Sequence, residues 1–369
     1  MGHRILIHCD LDAFFASVES LHRELSPDIP LIIGSDPKLG SGRGIVSTCN
    51  YAAREYGIRS AMPISEAWRR CPGPPIGNGF YLRTNFRLYR RASKRVMRIL
   101  ASHADKFEQA SVDEAYLDVT ESSGGDWNVA EKIARRIQKE IFDEIQLTAS
   151  FGIGQNRVIA KMASEVRKPN GIFMVPIGGH QEFFEEKSCV AVPGIGPKAA
   201  QMLHEVGIVN LRDAYHEGAD SLEQYLGKRR ANSLWNILEG KSSDEVSPLR
   251  SRKSISKERT FATDQNNPVV VMQALPKLVE NVTSKLRSLE ITARSIEIKI
   301  RYKGFETFSH AQSLPVSMDE FDVFLRIGVK LLSEIYDTSR PVRLIGFKLS
   351  ELEAPPNRQS TLEFFDDEE

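Results

Sequence analysis

The feature that most constrains this chain is an apolar run that ends in an acid. Residues 4–9 (RILIHC) predict a short buried strand, and Asp10 follows it directly. Two more acids, Asp113 and Glu114, lie between two further strand candidates. Carboxylates at the ends of neighbouring strands can converge at one edge of a sheet, so the fold has to compensate their charge there.

Three converging carboxylates repel one another unless a cation neutralises them. Mg²⁺ prefers oxygen ligands and is the usual cation in such a site. Two such ions close together would hold the attacking and leaving oxygens of a phosphoryl transfer. The alternative is that each acid is a solvated turn residue, which is the more common role near a strand end. The spacing alone leaves both interpretations open.

The order of the remaining patterns predicts an α+β fold in which helices cover a sheet. Further strands are expected at residues 31–33, 44–48, 106–110, 115–119 and 148–153, and helices at 63–70, 84–102, 128–145 and 155–167. Residues 182–240 have a helical pattern with small turns. A second small α+β unit is expected at 254–350, with strands at 295–302 and 343–350 and helices at 269–289 and 318–336.

Composition excludes several classes of protein. The four cysteines are scattered without a Cys-x-x-Cys pair, which argues against a zinc ribbon or a secreted disulfide scaffold. The N-terminal residues lack the apolar core of a signal peptide. No apolar stretch approaches the roughly 18 residues of a membrane span. We therefore expect a cytoplasmic protein without a membrane partner.

The formal charge is zero, with 49 basic and 49 acidic residues, but it is unevenly distributed. Residues 351–369 contain seven acids and one arginine, a charge of −6, so residues 1–350 carry +6. A basic body with an acidic end mildly favours an anionic partner.

Seven longer motifs together resemble those of the Y-family DNA polymerases, most closely the archaeal type of the DinB, or polymerase IV, branch. They are residues 10–19 (DLDAFFASVE), 47–54 (STCNYAAR), 58–64 (IRSAMPI), 110–118 (ASVDEAYLD), 150–154 (SFGIG), 168–171 (KPNG) and 192–196 (VPGIG). They follow the family's order and spacing over about residues 4–350. A chance match of this extent is negligible.

The resemblance implies a right-hand polymerase with short fingers and an open site. Its expected parts are a palm (1–10 and 80–168), fingers (11–79), a helical thumb with a helix-hairpin-helix (169–240), a linker (241–253), a little finger (254–350) and a flexible tail (351–369). It also implies translesion synthesis of low fidelity and low processivity. A monomer is expected, with primer–template DNA and a deoxynucleoside triphosphate (dNTP) as partners.

The resemblance also assigns the metal ligands. Asp10, Asp113 and Glu114 are expected to hold two Mg²⁺ ions, with the backbone carbonyl of Leu11 as a further ligand. Asp12 is not a metal ligand in the family, and we interpret it as structural.

Further residues match the family's nucleotide-binding positions. Phe15 is at the steric gate, where a flat ring under the sugar leaves no room for a 2′-hydroxyl; a core aromatic is the better interpretation of Phe14. The expected triphosphate ligands are Thr48, Tyr51, Arg54 and Lys168. A guanidinium, an ammonium and two hydroxyls suit phosphate oxygens.

Two segments are expected to hold DNA. The helix-hairpin-helix would present Gly194, Gly196 and Lys198 to a phosphate at a helix N-terminus, without reading sequence; a plain Gly-x-Gly turn between packed helices is the alternative. Arg250, Arg252 and Lys253 would lie against template DNA and give salt-dependent binding.

One basic cluster stays open in function. A predicted helix concentrates Arg83, Arg87, Arg90, Arg91, Lys94, Arg95 and Arg98 with no acid among them. A solvated basic helix is the simpler interpretation, and contact of part of it with phosphates of DNA or of the incoming nucleotide is the other.

The tail resembles a sliding-clamp peptide through Gln359, Leu362, Phe364 and Phe365. Only Glu363 separates the leucine from the aromatic pair, whereas the archaeal and eukaryotic pattern has two residues there. The spacing also partly fits bacterial clamp peptides, so the ring type stays open. An acidic tail with stray aromatics is the alternative.

Two other functions compete with the polymerase. A metal-dependent nuclease or a nucleotidyl cyclase would also use palm-like carboxylates, and the steric gate and the helix-hairpin-helix disfavour both. A catalytically inactive DNA-binding scaffold is disfavoured because all three acids are intact.

Overall fold

The computed structural model describes residues 3–241, 245–247 and 252–354. The strands of these residues are β1 (Leu6–Leu11), β2 (Leu31–Gly34), β3 (Val46–Cys49), β4 (Phe80–Arg83), β5 (Lys106–Gln109), β6 (Glu114–Asp118), β7 (Ala149–Gly154), β8 (Ile172–Met174), β9 (Ser254–Gln265), β10 (Thr292–Tyr302), β11 (Thr307–Met318) and β12 (Val342–Glu353). The helices are α1 (Phe14–Arg23), α2 (Tyr51–Glu55), α3 (Ile64–Arg70), α4 (Phe86–Ser102), α5 (Trp127–Ile145), α6 (Arg157–Ser164), α7 (His180–Phe184), α8 (Pro197–Glu205), α9 (Leu211–Leu226), α10 (Lys228–Leu238), α11 (Pro268–Arg287) and α12 (Phe321–Ile335).

The chain divides into two compact units, Met1–Leu249 and Arg250–Glu369. The first unit is built on a five-stranded sheet in the order β5-β6-β1-β7-β8. Alternate residues of β1 point to opposite faces. Ile7 and Cys9 join the apolar core beneath α4 and α5, whereas His8 faces α6, where its Nδ1 lies 2.8 Å from the Ser164 hydroxyl oxygen.

Two smaller apolar clusters complete the first unit. A three-stranded sheet, in the order β3-β2-β4, packs on α2 and α3 around Ile32, Val46 and Ile58. Helices α7 to α10 enclose another cluster, which includes Leu203 and Leu234 and extends to the apolar side of α6. Each segment expected to be fingers or thumb therefore has a core of its own.

The second unit is a four-stranded antiparallel sheet in the order β11-β10-β12-β9, with α11 and α12 packed on it. The sequence patterns missed β9 and β11. Both are edge strands with mostly exposed side chains, so they lack the apolar alternation that marks a half-buried strand. The sequence patterns also ended the last strand too early, because Glu353 of β12 still pairs with Thr292 and the strand enters the segment assigned to the tail.

Part of the segment expected as a linker is packed against the first unit. Val246 is buried beside Leu6 and Tyr116. On either side of it, Ser247 N donates to the Glu108 carboxylate at 3.0 Å and Arg157 donates to the Glu245 carbonyl at 3.0 Å. One apolar side chain and two hydrogen bonds therefore hold residues 245–247 in place.

Candidate active site

Strand pairing brings the predicted acids together at one end of the five-stranded sheet. Asp10 lies opposite Glu114 in the antiparallel pair of β1 and β6, so their side chains leave the same face. Asp113 lies in the turn before β6, and its backbone carbonyl accepts a hydrogen bond of 3.0 Å from Leu11 N. The backbone therefore fixes the relative positions of all four predicted metal-site residues.

Ser111 orders the turn that carries Asp113. Its hydroxyl donates to the Asp113 carboxylate and accepts from the backbone N–H groups of Asp113 (3.1 Å) and Glu114 (3.0 Å). A hydroxyl that serves three groups in one turn holds both acids in a defined conformation.

Lysines form ion pairs with two of the three acids. Lys168 Nζ lies 2.7 Å from Asp10 Oδ1 and 2.5 Å from Glu165 Oε1, and Lys161 Nζ pairs with Glu114 Oε1. Across the described part of the chain, no three Asp, Glu, His or Cys side chains are grouped so that they could hold a metal ion. The sequence patterns missed Lys161, which carries no local signal because its partner is 47 residues away.

Burial dominates the electrostatics of this corner. It raises the pKa of Asp10 to about 7, and Lys168 offsets only part of that effect. Burial also lowers the pKa of Lys168, but Asp10 and Glu165 outweigh it and raise the value to about 12. Lys168 therefore stays charged at neutral pH, whereas Asp10 is close to its titration point.

Phe15 lies at the start of α1, half-buried, on a base of aromatic rings. It stacks on Tyr89 with ring centroids 4.2 Å apart and meets the edge of Phe86 at 5.8 Å. The Tyr89 hydroxyl donates a hydrogen bond of 2.9 Å to the buried Glu19 carboxylate, and this bond fixes the Tyr89 ring on which Phe15 stacks. Phe14 is buried in the core. The supporting rings were expected only as apolar positions of a helix.

Three of the four expected triphosphate ligands, Thr48, Tyr51 and Arg54, lie on β3 and α2. Thr48 is half-buried on β3. The Arg54 guanidinium lies 4.5 Å from the centroid of the Tyr51 ring. The Tyr51 hydroxyl is buried and has no hydrogen-bond partner in the described residues. Burial raises its pKa, with a smaller contribution from the charge of Asp12. A buried, unpartnered hydroxyl is suited to a ligand.

Asp12 connects the end of β1 to the segment that carries Lys168. The residue is 3 % exposed, and its carboxylate accepts hydrogen bonds from the Ser150 hydroxyl (2.8 Å) and from Asn170 N (2.8 Å). The second bond holds the turn that follows Lys168, and Asn170 has a positive φ there. Asp12 thus helps to hold the segment that carries Lys168, which is the kind of contact that a structural residue makes.

The predicted DNA-binding residues lie in the loop before α8, in α8 itself and before β9. Gly194 has a φ of 98° in the loop before α8, and a side chain there or at Gly196 would meet open space. Lys198 is exposed in the first turn of α8. Arg252 and Lys253 are exposed before β9.

Several predicted residues lie outside the described ranges. They are Arg250 and the four clamp-peptide residues Gln359, Leu362, Phe364 and Phe365. Within the described ranges, no helix combines the length and the apolar character needed to cross a bilayer.

Two family models match this chain. The impB/mucB/samB family matches residues 9–165, which include the acids, Phe15 and the residues of β3 and α2. The impB/mucB/samB family C-terminal domain matches residues 252–362.

Curated relatives align over nearly the whole chain. The chain is 36% identical over 364 residues to a DNA polymerase IV of Methanoculleus marisnigri, covering 99% of both chains. It is also 36% identical over 362 residues to a DNA polymerase IV of Staphylococcus aureus, covering 98% of this chain and 99% of the relative.

Solved structures give the same family. A Y-family DNA polymerase chimera of Dbh and Dpo4 aligns with a TM-score of 0.85 and 31% identity over 94% of this chain and 99% of the other. DinB from Sulfolobus solfataricus aligns with a TM-score of 0.64 and 30% identity over 94% and 98%.

Proposed function

This chain belongs to the impB/mucB/samB family of DinB-type Y-family DNA polymerases, and on that premise we propose that it is a translesion DNA polymerase. It extends the 3′ end of a primer on a DNA template with low fidelity and low processivity. The observation that carries the proposal is the pairing of Asp10 with Glu114, with Asp113 in the adjoining turn.

The donors are chemically suited to a divalent metal cofactor, although their side chains are not grouped as a ligand set in the described part of the chain. Asp10, Asp113, Glu114 and the Leu11 carbonyl are hard oxygen donors, which Mg²⁺ prefers. We propose that they hold two Mg²⁺ ions, which when bound supply charge neutralisation at the reacting phosphate. Lys168 pairs with Asp10 and Lys161 with Glu114, so this chain's own cations compensate the charge of two of these carboxylates.

The remaining side chains position the nucleotide. Arg54 and Lys168 supply positive charge to the triphosphate, and the hydroxyls of Thr48 and Tyr51 donate hydrogen bonds to it. The unpartnered Tyr51 hydroxyl supports this role. Phe15, held on Tyr89, excludes a 2′-hydroxyl and so selects deoxynucleotides.

DNA contacts are proposed for two further segments. The backbone around Gly194 and Gly196, together with Lys198, binds a duplex phosphate, and the open space at both glycines supports close approach. Arg250, Arg252 and Lys253 bind template phosphates. Monomeric state and cytoplasmic location stay predictions.

Primer extension with Mg²⁺ and one dNTP at a time tests the function. Addition only of the nucleotide complementary to the template base is the expected result. Primer shortening would indicate a nuclease, and cyclisation of the nucleotide would indicate a cyclase. DNA binding with no extension, shortening or cyclisation would indicate an inactive scaffold.

The tail is proposed to bind a sliding clamp through Gln359, Leu362, Phe364 and Phe365. Tethering raises the local concentration of primer ends for an enzyme that holds DNA weakly. Deletion of residues 359–369 is expected to leave distributive synthesis unchanged and to remove stimulation by the cognate clamp. Equal stimulation with and without the tail would reject this assignment, and comparing archaeal with bacterial clamps would identify the ring type.

A further inference from the structure

A row of cations without acidic partners runs along α4. The helix contains six basic residues and no acid, and all six side chains are exposed. Within the described residues none of them forms an ion pair. Their side-chain hydrogen bonds there are those of Arg95 and Arg98, and both go to backbone carbonyls.

This row is unfavourable for an isolated helix. Arg90, Lys94 and Arg98 follow one another at intervals of four, and like charges at that spacing repel each other. Arg87 and Arg91 lie in the first two turns, where the helix dipole also opposes positive charge. A bound polyanion would relieve both effects.

The row borders a groove with an apolar floor, which we call the α4 groove. Its rim is Arg90, Lys94 and Arg98, its floor is Met97, Phe107 and Val112, and it encloses about 390 Å³. That volume is within the roughly 300–1,000 Å³ of ligand pockets. Phe107 lies on β5, an edge strand of the five-stranded sheet in the described residues, and its side chain is half-buried.

We propose that the α4 groove binds single-stranded DNA, with phosphates on the rim and an unstacked base on the floor. From Arg87 to Arg98 the helix rises roughly 16 Å at 1.5 Å per residue, a length over which an extended strand can place several phosphates against the row. Phe107 offers an aromatic contact to a base, the second element of single-strand binding sites. An acidic peptide would pair with the cations of the rim, but it would not use the aromatic contact that Phe107 offers.

The experiment separates this surface from the duplex-binding surface. The full-length protein is saturated with unlabelled primer–template, and a fluorescent oligothymidylate of about twelve nucleotides, within known single-strand footprints, is then titrated by anisotropy. The groove variant is R90Q/K94Q/R98Q. The matched control, K132Q/R135Q/K139Q, removes the same charge from exposed positions of α5, where Arg135 and Lys139 are ion-paired.

The wild-type protein and the control are expected to bind the oligomer, and the groove variant to bind at least tenfold more weakly. The slope of the logarithm of its binding constant against the logarithm of the salt concentration should be less steep by about two, because each of the three lost phosphate contacts contributes about 0.7. Single-nucleotide extension should match wild type in both variants. Thermal unfolding should stay cooperative in both, with the groove variant no less stable than wild type because like charges have been removed. An oligomer of abasic sugars should bind more weakly than oligothymidylate.

Four results would overturn the proposal. They are absence of oligomer binding once primer–template is saturating, equal weakening in both variants, equal binding of the abasic oligomer, and equally effective displacement by polyglutamate. The last result would identify the groove as a surface for acidic peptides.

Discussion

The two units of this protein differ in the polar and charged residues that they bury. In the described part of the chain, every buried histidine or carboxylate belongs to the first unit, namely His8, Asp12, Glu19, Glu108 and Asp118. The buried polar residues of the second unit are Thr283, Thr292 and Ser295. A buried charge is costly unless it is paired or hydrogen-bonded. The first unit therefore accepts a cost that the second unit avoids.

Two of the buried acids of the first unit, Asp12 and Glu19, support segments that carry proposed functional residues. Asp12 holds the turn after Lys168, and Glu19 holds Tyr89, on which Phe15 stacks. In the second unit, charged pairs such as Lys299–Glu258 lie on the sheet surface with each side chain at least one-third exposed. For Asp12 and Glu19, the buried charge therefore serves to position other residues.

The sharpest way to break this comparison is to remove a catalytic acid. Asp113→Ala or Glu114→Ala should lower primer extension roughly a thousandfold or more, since each removes transition-state stabilisation supplied through the metal ions. DNA binding and thermal unfolding should change little because both acids are half-exposed. Asp143→Ala on exposed α5 is the control. Wild-type extension by either variant would reject the site.

A buried acid and an exposed one should differ in their effect on stability. Glu108→Gln removes the carboxylate partner of Arg157 and of Ser247 N, and the loss of one partner of a buried pair costs roughly 3–5 kcal/mol. Glu258→Gln in the second unit should cost under about 1 kcal/mol.

Calorimetry of the full chain measures both variants. Tryptophan fluorescence isolates the first unit, because Trp68, Trp127 and Trp235 are the three tryptophans of the chain and all lie there. Equal destabilisation by the two variants would remove the distinction between the units.

Removing the proposed gate should change selectivity rather than stability. Phe15→Ala opens space beside the sugar while Tyr89 keeps its bond to Glu19, so discrimination against ribonucleotides should fall by roughly a hundredfold. The ratio of kcat/KM for ribonucleotide and deoxynucleotide measures it. Phe14→Leu, which alters the neighbouring core ring, should lower stability and leave that ratio unchanged. If the ratio does not move in Phe15→Ala, another residue is the gate.

Local patterns predicted the elements with apolar periodicity. The helix expected at residues 84–102 is α4 at Phe86–Ser102, and the strand expected at 4–9 is β1 at Leu6–Leu11, within the usual uncertainty of element ends. The α+β class and the polymerase family are confirmed. The roles of the individual site residues stay predictions.

Long-range contacts could not be read from the sequence. The bond from Asn170 to Asp12 joins residues 158 apart, and the pair of Arg157 with Glu108 joins residues 49 apart. No periodicity encodes such a contact, because it depends on which strands become neighbours. For the same reason the packing of residues 245–247 was missed: their sequence is polar apart from one valine.

The smallest effect concerns the burial of Asp10, and it depends on pH. Burial raises the pKa of Asp10 to about 7 in the fold. The contribution of Asp10 to the free energy of unfolding is therefore fully present below the ordinary pKa of aspartate, and it is lost as the pH rises through about 7. Asp10→Asn should therefore be more stable than wild type without metal above about pH 7, and the difference should shrink towards about pH 4. Three pKa units set a ceiling of about 4 kcal/mol. Because Lys168 loses a partner in the variant, we expect a difference in the free energy of unfolding of roughly 1–2 kcal/mol.

Urea unfolding in the presence of EDTA, followed by tryptophan fluorescence, measures this difference between Asp10→Asn and wild type. Added Mg²⁺ should raise the stability of wild type and leave the variant nearly unchanged. A variant that is less stable at high pH, or a difference that does not vary with pH, would show that Lys168 fully compensates Asp10.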